Sequence, residues 1–221
     1  MRMMITDLLD LTRIESGQKK RFIEPVDLLP IATAALDAVR ISADERGIHL
    51  DLDAPDELII AADASEMEIV FNNLISNAVK YNRDQGRVDV ILSRKDDEVL
   101  IIVKDTGIGM TADEAAKLFG EFVRIKNDKT RTISGTGLGL SIVKKIAALY
   151  NGSASVESES DKGSVFRVRL IDASVRAIDD PVGAADHSDA TTVSGRLSSV
   201  GIISDIKKSN GTELAIGGEQ T

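Results

Sequence analysis

Apolar residues recur every three or four positions in four segments of the chain, which predicts four amphipathic helices. Asp63 and Glu66 have the spacing of a capping box, in which each side chain bonds to the backbone of the other residue, at the start of the third helix. Glycines after the first two segments, Gly17 and Gly47, mark where those helices stop. The four predicted helices cover residues 1–17, 27–46, 63–81 and 138–150.

Shorter apolar runs between these helices predict β-strands. Val88, Val90 and Leu92 alternate along one run, and a second apolar run follows the Asp96-Asp97 turn, so we expect a β-hairpin there. The sum is an α+β fold, in which helices cover one face of a mixed, mostly antiparallel sheet. The strands predicted outside the 88–92 run cover residues 48–52, 57–61, 99–103, 153–158 and 164–170.

The composition is that of a globular chain and narrows the possible functions. The 221 residues include 43% hydrophobic and 29% charged residues, and the net charge of −9 argues against a nucleic-acid partner. The chain has no cysteine, which excludes disulfides, thiol nucleophiles and iron–sulfur clusters and is typical of a cytoplasmic protein. No apolar run approaches the roughly 20 residues that span a bilayer.

The two ends of the chain differ from its centre. The apolar stripe of residues 1–17 either packs on its own domain or completes a helical bundle or coiled coil with another chain or segment. Residues 171–221 lack aromatic side chains and are rich in Gly, Ser, Thr and Asp, which predicts a mostly disordered tail. We therefore expect one domain over about residues 25–170.

The third predicted helix carries a polar face with possible chemistry. Asn73, Asn77, Lys80 and Tyr81 lie at positions i, i+4, i+7 and i+8, so they project from one side. An amide oxygen can ligate Mg²⁺, an ammonium group can neutralise phosphate, and a tyrosine can cover a base or a sugar. The same pattern also fits a solvated helix face.

Two glycine clusters provide backbone that can approach a ligand closely. Residues 105–110 read Asp-Thr-Gly-Ile-Gly-Met after an apolar strand, and residues 135–140 read Gly-Thr-Gly-Leu-Gly-Leu before a helix. A glycine-rich segment that leads into a helix offers N–H groups to phosphate. The second cluster matches neither a Walker A loop nor a dinucleotide fingerprint. Each cluster alone fits an ordinary turn or loop equally well.

Together and in this order, these segments resemble the nucleotide-binding domain of sensor histidine kinases. The resemblance extends to residues 7–17, which look like the end of the second helix of the dimerisation and phosphoacceptor hairpin. It implies that residues 1–24 end that hairpin and that residues 25–170 form a Bergerat-type α/β sandwich that binds ATP. The matching motifs are the N box at 73–81, the G1 box at 105–110, the F box at 118–124, the G2 box at 135–140 and a last glycine box at 162–166.

The resemblance also implies a role for each matching residue. Asp105 would accept a hydrogen bond from the adenine amino group, with Gly109 allowing close approach and Ser164 supporting the base through water. Asn77 would ligate Mg²⁺, and Asn73 and Lys80 would act in catalysis beside the phosphates. The other ATP-binding residues implied are Tyr81, Gly107, Ile108, Met110, Phe122, Gly135, Thr136, Gly137, Leu138, Gly139 and Leu140.

A lid over the phosphates is implied as well. Phe119 and Phe122 would anchor it, and its basic residues would steady the charge of the γ-phosphate, although any one of them fits a solvated lid as well. These basic residues are Lys117, Arg124, Lys126, Lys129 and Arg131.

The phosphoryl acceptor in this family is a histidine, and neither histidine of the chain lies in the family's acceptor motif. His49 falls in a predicted strand and His187 in the tail, so we expect the acceptor on a separate dimerisation domain. The implied partners are that domain, a response regulator and a second copy in a full-length homodimer. The implied location is cytoplasmic, as part of a membrane-anchored sensor.

Two other functions stay open at this point. A non-catalytic nucleotide-binding module would keep the same motifs without phosphoryl transfer. Related ATPases of the gyrase and chaperone type carry a general-base Glu four residues before the Mg²⁺-ligating Asn. Asn73 occupies that position here and cannot accept a proton, which disfavours hydrolysis.

Overall fold

The computed structural model describes residues 11–12, 20–125, 130, 131, 133 and 135–174. Helices are interspersed with single strands and pairs of strands along these residues, and an Asp side chain caps each of the two long helices at its N-terminus. In chain order the elements are β1 (Glu24–Asp27), α1 (Leu28–Glu45), β2 (His49–Asp53), β3 (Ile59–Ala62), α2 (Ala64–Lys80), β4 (Arg87–Lys95), β5 (Glu98–Asp105), α3 (Ala112–Lys117), α4 (Gly139–Leu149), β6 (Ser153–Glu159) and β7 (Gly163–Ile171).

The main sheet has five strands in the order β2-β4-β5-β7-β6. Strands β2 and β4 run parallel, and all other neighbouring pairs run antiparallel. The predicted hairpin is formed by β4 and β5, whose register pairs Val88 with Asp105 and Lys95 with Glu98. A separate ribbon pairs β1 with β3. The prediction of a mixed, mostly antiparallel α+β fold is confirmed.

The core lies between this sheet and a layer of helices. Helix α2 packs between α1 and α4 and contacts β4 and β5, while α4 contacts β6 and β7. The helix-facing positions of β4 and β5, such as Val90 and Ile101, are fully buried, as are Phe71 and Leu74 of α2. The apolar stripes identified in the sequence are therefore the faces that meet.

The start of α2 differs from the predicted capping box. Asp63 is the N-cap and accepts from Ser65 N, as expected. The backbone N–H of Asp63, however, donates to the hydroxyl of Tyr150 at 2.9 Å, and that hydroxyl donates to Glu66 Oε2 at 2.6 Å. Tyr150 therefore stands between two groups that a capping box would bond directly.

Some elements and element boundaries differ from the prediction. Strand β1 and helix α3 were not predicted, because both are short. Ile171 ends β7 and Asp172 is buried, so the ordered domain extends past residue 170. The predicted tail beyond residue 174 lies outside the described residues, as does most of the predicted N-terminal helix. Within that helix, Leu11 is buried with the core residues. No helix of the described part is long and apolar enough to cross a membrane.

Candidate functional site

A cleft opens between α2, the start of α4 and the ends of β5 and β7. The predicted site residues all line it, except Gly107, Phe122 and Leu138. Its lining also includes Arg124, which was predicted as a basic residue of the lid, and further residues that were not predicted as ligands, namely Ser76, Leu118, Val123, Ile125, Thr130 and Phe166. Residues from three distant motifs thus face one space.

A buried carboxylate forms one end of the cleft. Asp105 is the last residue of β5 and is 5% exposed. Burial raises the pKa of Asp105 to about 6, although the N–H groups of Gly107 and Ser164 donate to the carboxylate and oppose the rise. The Gly107 N–H lies 2.8 Å from Oδ1. This end can accept a hydrogen bond from a donor on a ligand.

Ser164 supports this end through the neighbouring strand. Ser164 on β7 pairs with Asp105 on β5 in the sheet. The Ser164 hydroxyl lies 2.9 Å from the hydroxyl of Ser158. Ser158 in turn accepts from the N–H of Met110 at 2.9 Å. Sequence reasoning missed Ser158, because it belongs to none of the motifs that contain Ser164 or Met110. Gly163, with φ at +106°, lets β7 start against the Asp105 carbonyl, where a Cβ atom would overlap it.

Two cations, Lys80 and Arg124, lie at the end of the cleft that Gly135 and Gly137 line. The Lys80 ammonium lies 5.4 Å from the centre of the Tyr81 ring. A Cβ atom at Gly135 would be 3.0 Å from Lys80 Nζ, so this glycine leaves room beside the ammonium. Burial and the nearby Arg124 both lower the pKa of Lys80. Arg124 is held by a 2.6 Å hydrogen bond to the Ile133 carbonyl. An anion here would relieve this repulsion.

Two asparagines of α2 also line the cleft. Asn77 lines the cleft, one turn from Asn73. The Asn73 amide donates to the Ile69 carbonyl at 2.8 Å, and its oxygen faces Gly139 at the start of α4. Because Mg²⁺ takes oxygen ligands and is usually held by one or two protein groups plus phosphates, these amide oxygens suit it. The described residues contain no cluster of His, Cys, Asp or Glu that could hold a metal ion.

Three predicted site residues occupy other places. Gly107 lies against the Tyr81 carbonyl and the Asn82 backbone, where a Cβ atom would overlap the chain, so it joins β5 to the end of α2. Leu138 is 2% exposed and packs in the core. Phe122 does not anchor the lid, because its side chain is 61% exposed, whereas Phe119 packs against the core.

The predicted basic lid residues and the two histidines lie in different places. Arg124 lines the cleft, while Lys117 and Arg131 do not. Lys126, Lys129 and His187 fall outside the described residues. His49 is exposed on β2, at the edge of the sheet, which is a strand position as predicted.

Comparison with known proteins agrees with this geometry. The model of the family "Histidine kinase-, DNA gyrase B-, and HSP90-like ATPase" matches residues 62–174, which include α2, both glycine clusters and β7. The circadian input-output histidine kinase CikA of Synechococcus elongatus is 35% identical over 168 residues, which cover 75% of this chain and 22% of that protein. The sensor-like histidine kinase SenX3 of Mycolicibacterium smegmatis is 31% identical over 167 residues, or 76% of this chain and 44% of that protein.

Solved structures show the same relationship. Full-length ShkA in complex with AMPPNP aligns with a TM-score of 0.66 and 28% identity, over 76% of this chain and 35% of that one. The chain therefore belongs to the histidine kinase-, gyrase- and HSP90-like ATPase family, and within it to the ATP-binding catalytic domains of sensor histidine kinases. The matched region spans about a fifth of the first of these curated relatives and somewhat less than half of the second.

Proposed function

We propose that the cleft binds Mg²⁺-ATP and presents the γ-phosphate to a histidine on a dimerisation domain. The observation that carries the proposal is the polarity of the cleft. A buried carboxylate, Asp105, lies where β5 ends in the cleft, and two cations, Lys80 and Arg124, lie beside the glycine-rich segment that lines it. A nucleotide has the matching polarity, with a hydrogen-bond donor on its base and negative charge on its phosphates.

Each end has a distinct chemical task in this proposal. Asp105 accepts from the adenine amino group, with its orientation fixed by the Gly107 and Ser164 N–H groups. Lys80 and Arg124 neutralise phosphate charge, and the N–H groups of the Gly135–Gly137 segment face the phosphates. Tyr81 covers the nucleotide next to Lys80.

Asn77, with Asn73 one turn away, would hold Mg²⁺ at the phosphates. Held there, Mg²⁺ would supply charge neutralisation at the phosphates. Phosphoryl transfer needs mainly positioning and electrostatic stabilisation, so the chain's own residues act by orienting the triphosphate and excluding water. The nucleophile is a histidine imidazole supplied by the dimerisation domain, and a response regulator then accepts the phosphoryl group.

The asparagine pair favours transfer over hydrolysis. Asn73 stands where an activating carboxylate would be needed, and its amide is already bonded to the Ile69 carbonyl. An amide cannot accept a proton from water, so the cleft has no general base at this position. This observation distinguishes the proposal from a gyrase-type ATPase.

Two measurements test the proposal. Calorimetry should show ATP binding that Mg²⁺ strengthens and that Asp105→Asn abolishes, with Asp89→Asn on the sheet as the matched control. Labelled ATP should then give acid-labile phosphohistidine only when an acceptor hairpin is added. Binding without transfer to any added hairpin would instead indicate a regulatory nucleotide-binding module, and absence of binding by the folded chain would overturn the proposal.

A further inference from the structure

A second cluster of buried polar groups lies at the end of α2 that faces away from the phosphate end. Glu66 is 3% exposed and Tyr150 is 6% exposed. The Tyr150 hydroxyl donates to Glu66 Oε2 at 2.6 Å. The Arg21 guanidinium donates two hydrogen bonds to the same carboxylate, from Nε to Oε1 at 2.8 Å and from Nη2 to Oε2 at 2.8 Å. We call Arg21, Glu66 and Tyr150 the latch.

The three side chains of the latch make further contacts with one another. The Arg21 guanidinium lies 4.6 Å from the centre of the Tyr150 ring, within the range of a cation–π interaction. Burial, followed by the hydrogen bond to Glu66, raises the pKa of the Tyr150 hydroxyl, so it stays protonated as a donor. Buried ion pairs often stabilise a fold no better than apolar residues of the same size do. A geometric role explains the latch better than stability does.

The latch provides the second of two ties between α2 and α4. At the cleft, the Asn73 amide oxygen faces Gly139, the first residue of α4. At the other end, Glu66 in the first turn of α2 binds Tyr150, the C-cap of α4. The two helices are thus in close contact at two separated points, one through packing and one through a hydrogen bond.

The same helices form the walls of the cleft. Helix α2 carries Asn77 and Lys80, and α4 begins directly after the Gly135–Gly137 segment that lines the phosphate end. With a rise of 1.5 Å per residue, α2 extends about 20 Å from Glu66 to Lys80. A shift of α4 along α2 would therefore move the Gly135–Gly137 segment relative to Asn77 and Lys80.

Arg21 connects this arrangement to the chain that precedes the domain. It belongs to residues 20–23, the leading segment, which comes directly before β1. The next residue is also attached there, because the Phe22 N–H donates to Asp63 Oδ2 at 3.0 Å. The leading segment is thus fixed at the start of α2, on both the cap residue and the latch.

We propose that the latch is a positioning device that couples the leading segment to the nucleotide cleft. With Arg21 in place, α4 is held in the register on α2 that suits the phosphates, and release of Arg21 weakens nucleotide binding. Because coupling between two sites is reciprocal, bound nucleotide also tightens the latch. This inference rests on the proposed nucleotide site, and the experiment below separates the two.

The chain has two tyrosines, which makes a direct test possible. Tyr81 lies in the cleft and Tyr150 in the latch, so protein labelled with 3-fluorotyrosine gives one ¹⁹F resonance from each, assigned with Tyr81→Phe. On titration with Mg²⁺-ADP, both resonances should shift with the same saturation. A saturating shift of Tyr81 with an unmoved Tyr150 resonance overturns the coupling and leaves the nucleotide site intact. If neither shifts in the folded chain, the proposed function fails and the coupling with it.

Variants of Arg21 give a second readout. Arg21→Gln should weaken Mg²⁺-ADP binding at least about fivefold, which is the lower end of typical coupling between sites. Lys20→Gln, a charge change at the adjacent position, should leave binding unchanged, and Arg21→Lys should restore part of it. If Arg21→Gln leaves Glu66 uncompensated and unfolds the chain, the pair Arg21→Leu with Glu66→Leu removes both charges. Unchanged ADP affinity in a folded variant whose Tyr150 resonance has moved contradicts the proposal.

Discussion

The side-chain amide oxygen of Asn73 occupies the space beside Gly139 that a Cβ atom would need. The contact brings α4 to α2 at the middle of the cleft, and it requires glycine on one side and a small polar side chain on the other. The structure therefore assigns Gly139 a packing role in addition to its place in the glycine cluster.

Gly139→Ala tests this contact. In a helix Ala is favoured over Gly by roughly 1 kcal/mol, so without the contact the substitution would stabilise the chain. We expect the opposite, a loss of about 1 to 3 kcal/mol in the free energy of unfolding, because the new methyl group overpacks the helix interface. Urea unfolding measures the change. The double variant Asn73→Ala with Gly139→Ala should recover the loss, and equal losses with and without Asn73 would contradict this explanation.

Asp105→Asn should stabilise the folded chain while it abolishes adenine recognition. The carboxyl pKa of Asp105 is raised from 3.8 to about 6, so the folded state binds its proton more tightly than the unfolded state does. Stability therefore falls as pH rises from about 4 to 6, and the cost of about 2 to 3 kcal/mol is fully present above pH 6. Asn carries no charge and avoids this cost.

Unfolding measurements at two pH values check this sign. The gain from Asp105→Asn should be present at pH 7.5 and should shrink strongly at pH 4, where the folded carboxyl is already protonated. Asp89→Asn is the control on the same sheet. A gain that is the same at both pH values would show that the burial of charge is not its cause.

Lys80→Met should weaken binding of phosphate and leave binding of the base unaffected. A hydrogen bond to a charged group contributes about 1.5 to 3 kcal/mol, so ADP affinity should fall roughly 10- to 100-fold. Adenosine, which has no phosphate, should bind with unchanged affinity. Lys104→Met, an exposed lysine on β5, is the matched control. Equal weakening for adenosine and ADP would mean that Lys80 shapes the whole cleft and has no specific role at the phosphates.

Asp172→Ala should destabilise the domain although it lies beyond the last predicted strand. Its carboxylate accepts from Arg94 Nη2 at 2.6 Å and from Ala61 N at 3.2 Å. Burial alone would raise the pKa of Asp172, but bonds from Ser174, Ala61 and Arg94 lower it, so its stabilising contribution is lost as pH falls below about 4. We expect a cost of about 3 kcal/mol at pH 7. The exposed Asp56→Ala serves as the control, and similar costs for both would refute this role.

The sequence predicted the cleft well because its residues lie in short motifs with fixed spacing. Asn73, Asn77 and Lys80 share a face by helix periodicity alone, and the glycine clusters mark close backbone approach. The latch could not be found in this way, since Glu66 is 45 residues from Arg21 and 84 residues from Tyr150. Local spacing instead assigned Glu66 to a capping box. A carboxylate three residues after an N-cap gives the same sequence pattern whether it bonds the cap backbone or, as here, Tyr150 and Arg21.

Phe122 shows a second limit of the sequence pattern. The resemblance of residues 118–124 to the F box implied that Phe122 anchors the lid, but its backbone has φ at +57°, and the side chain is exposed. Backbone conformation of this kind is decided by the surrounding loop and leaves no periodic trace in the sequence. The same applies to Ser158, which contacts the cleft residue Ser164 because β6 pairs with β7.

The pairing of β5 with strands on both sides determines how the two ends of the cleft differ in rigidity. Asp105 belongs to a strand whose backbone is bonded to β4 and to β7, so the carboxylate is already held in place before a ligand arrives. The cations at the other end come from a helix terminus and a connecting segment. A base therefore meets a preformed contact at little cost in conformational entropy, and adenine selection is expected to survive changes that alter the preference for diphosphate or triphosphate.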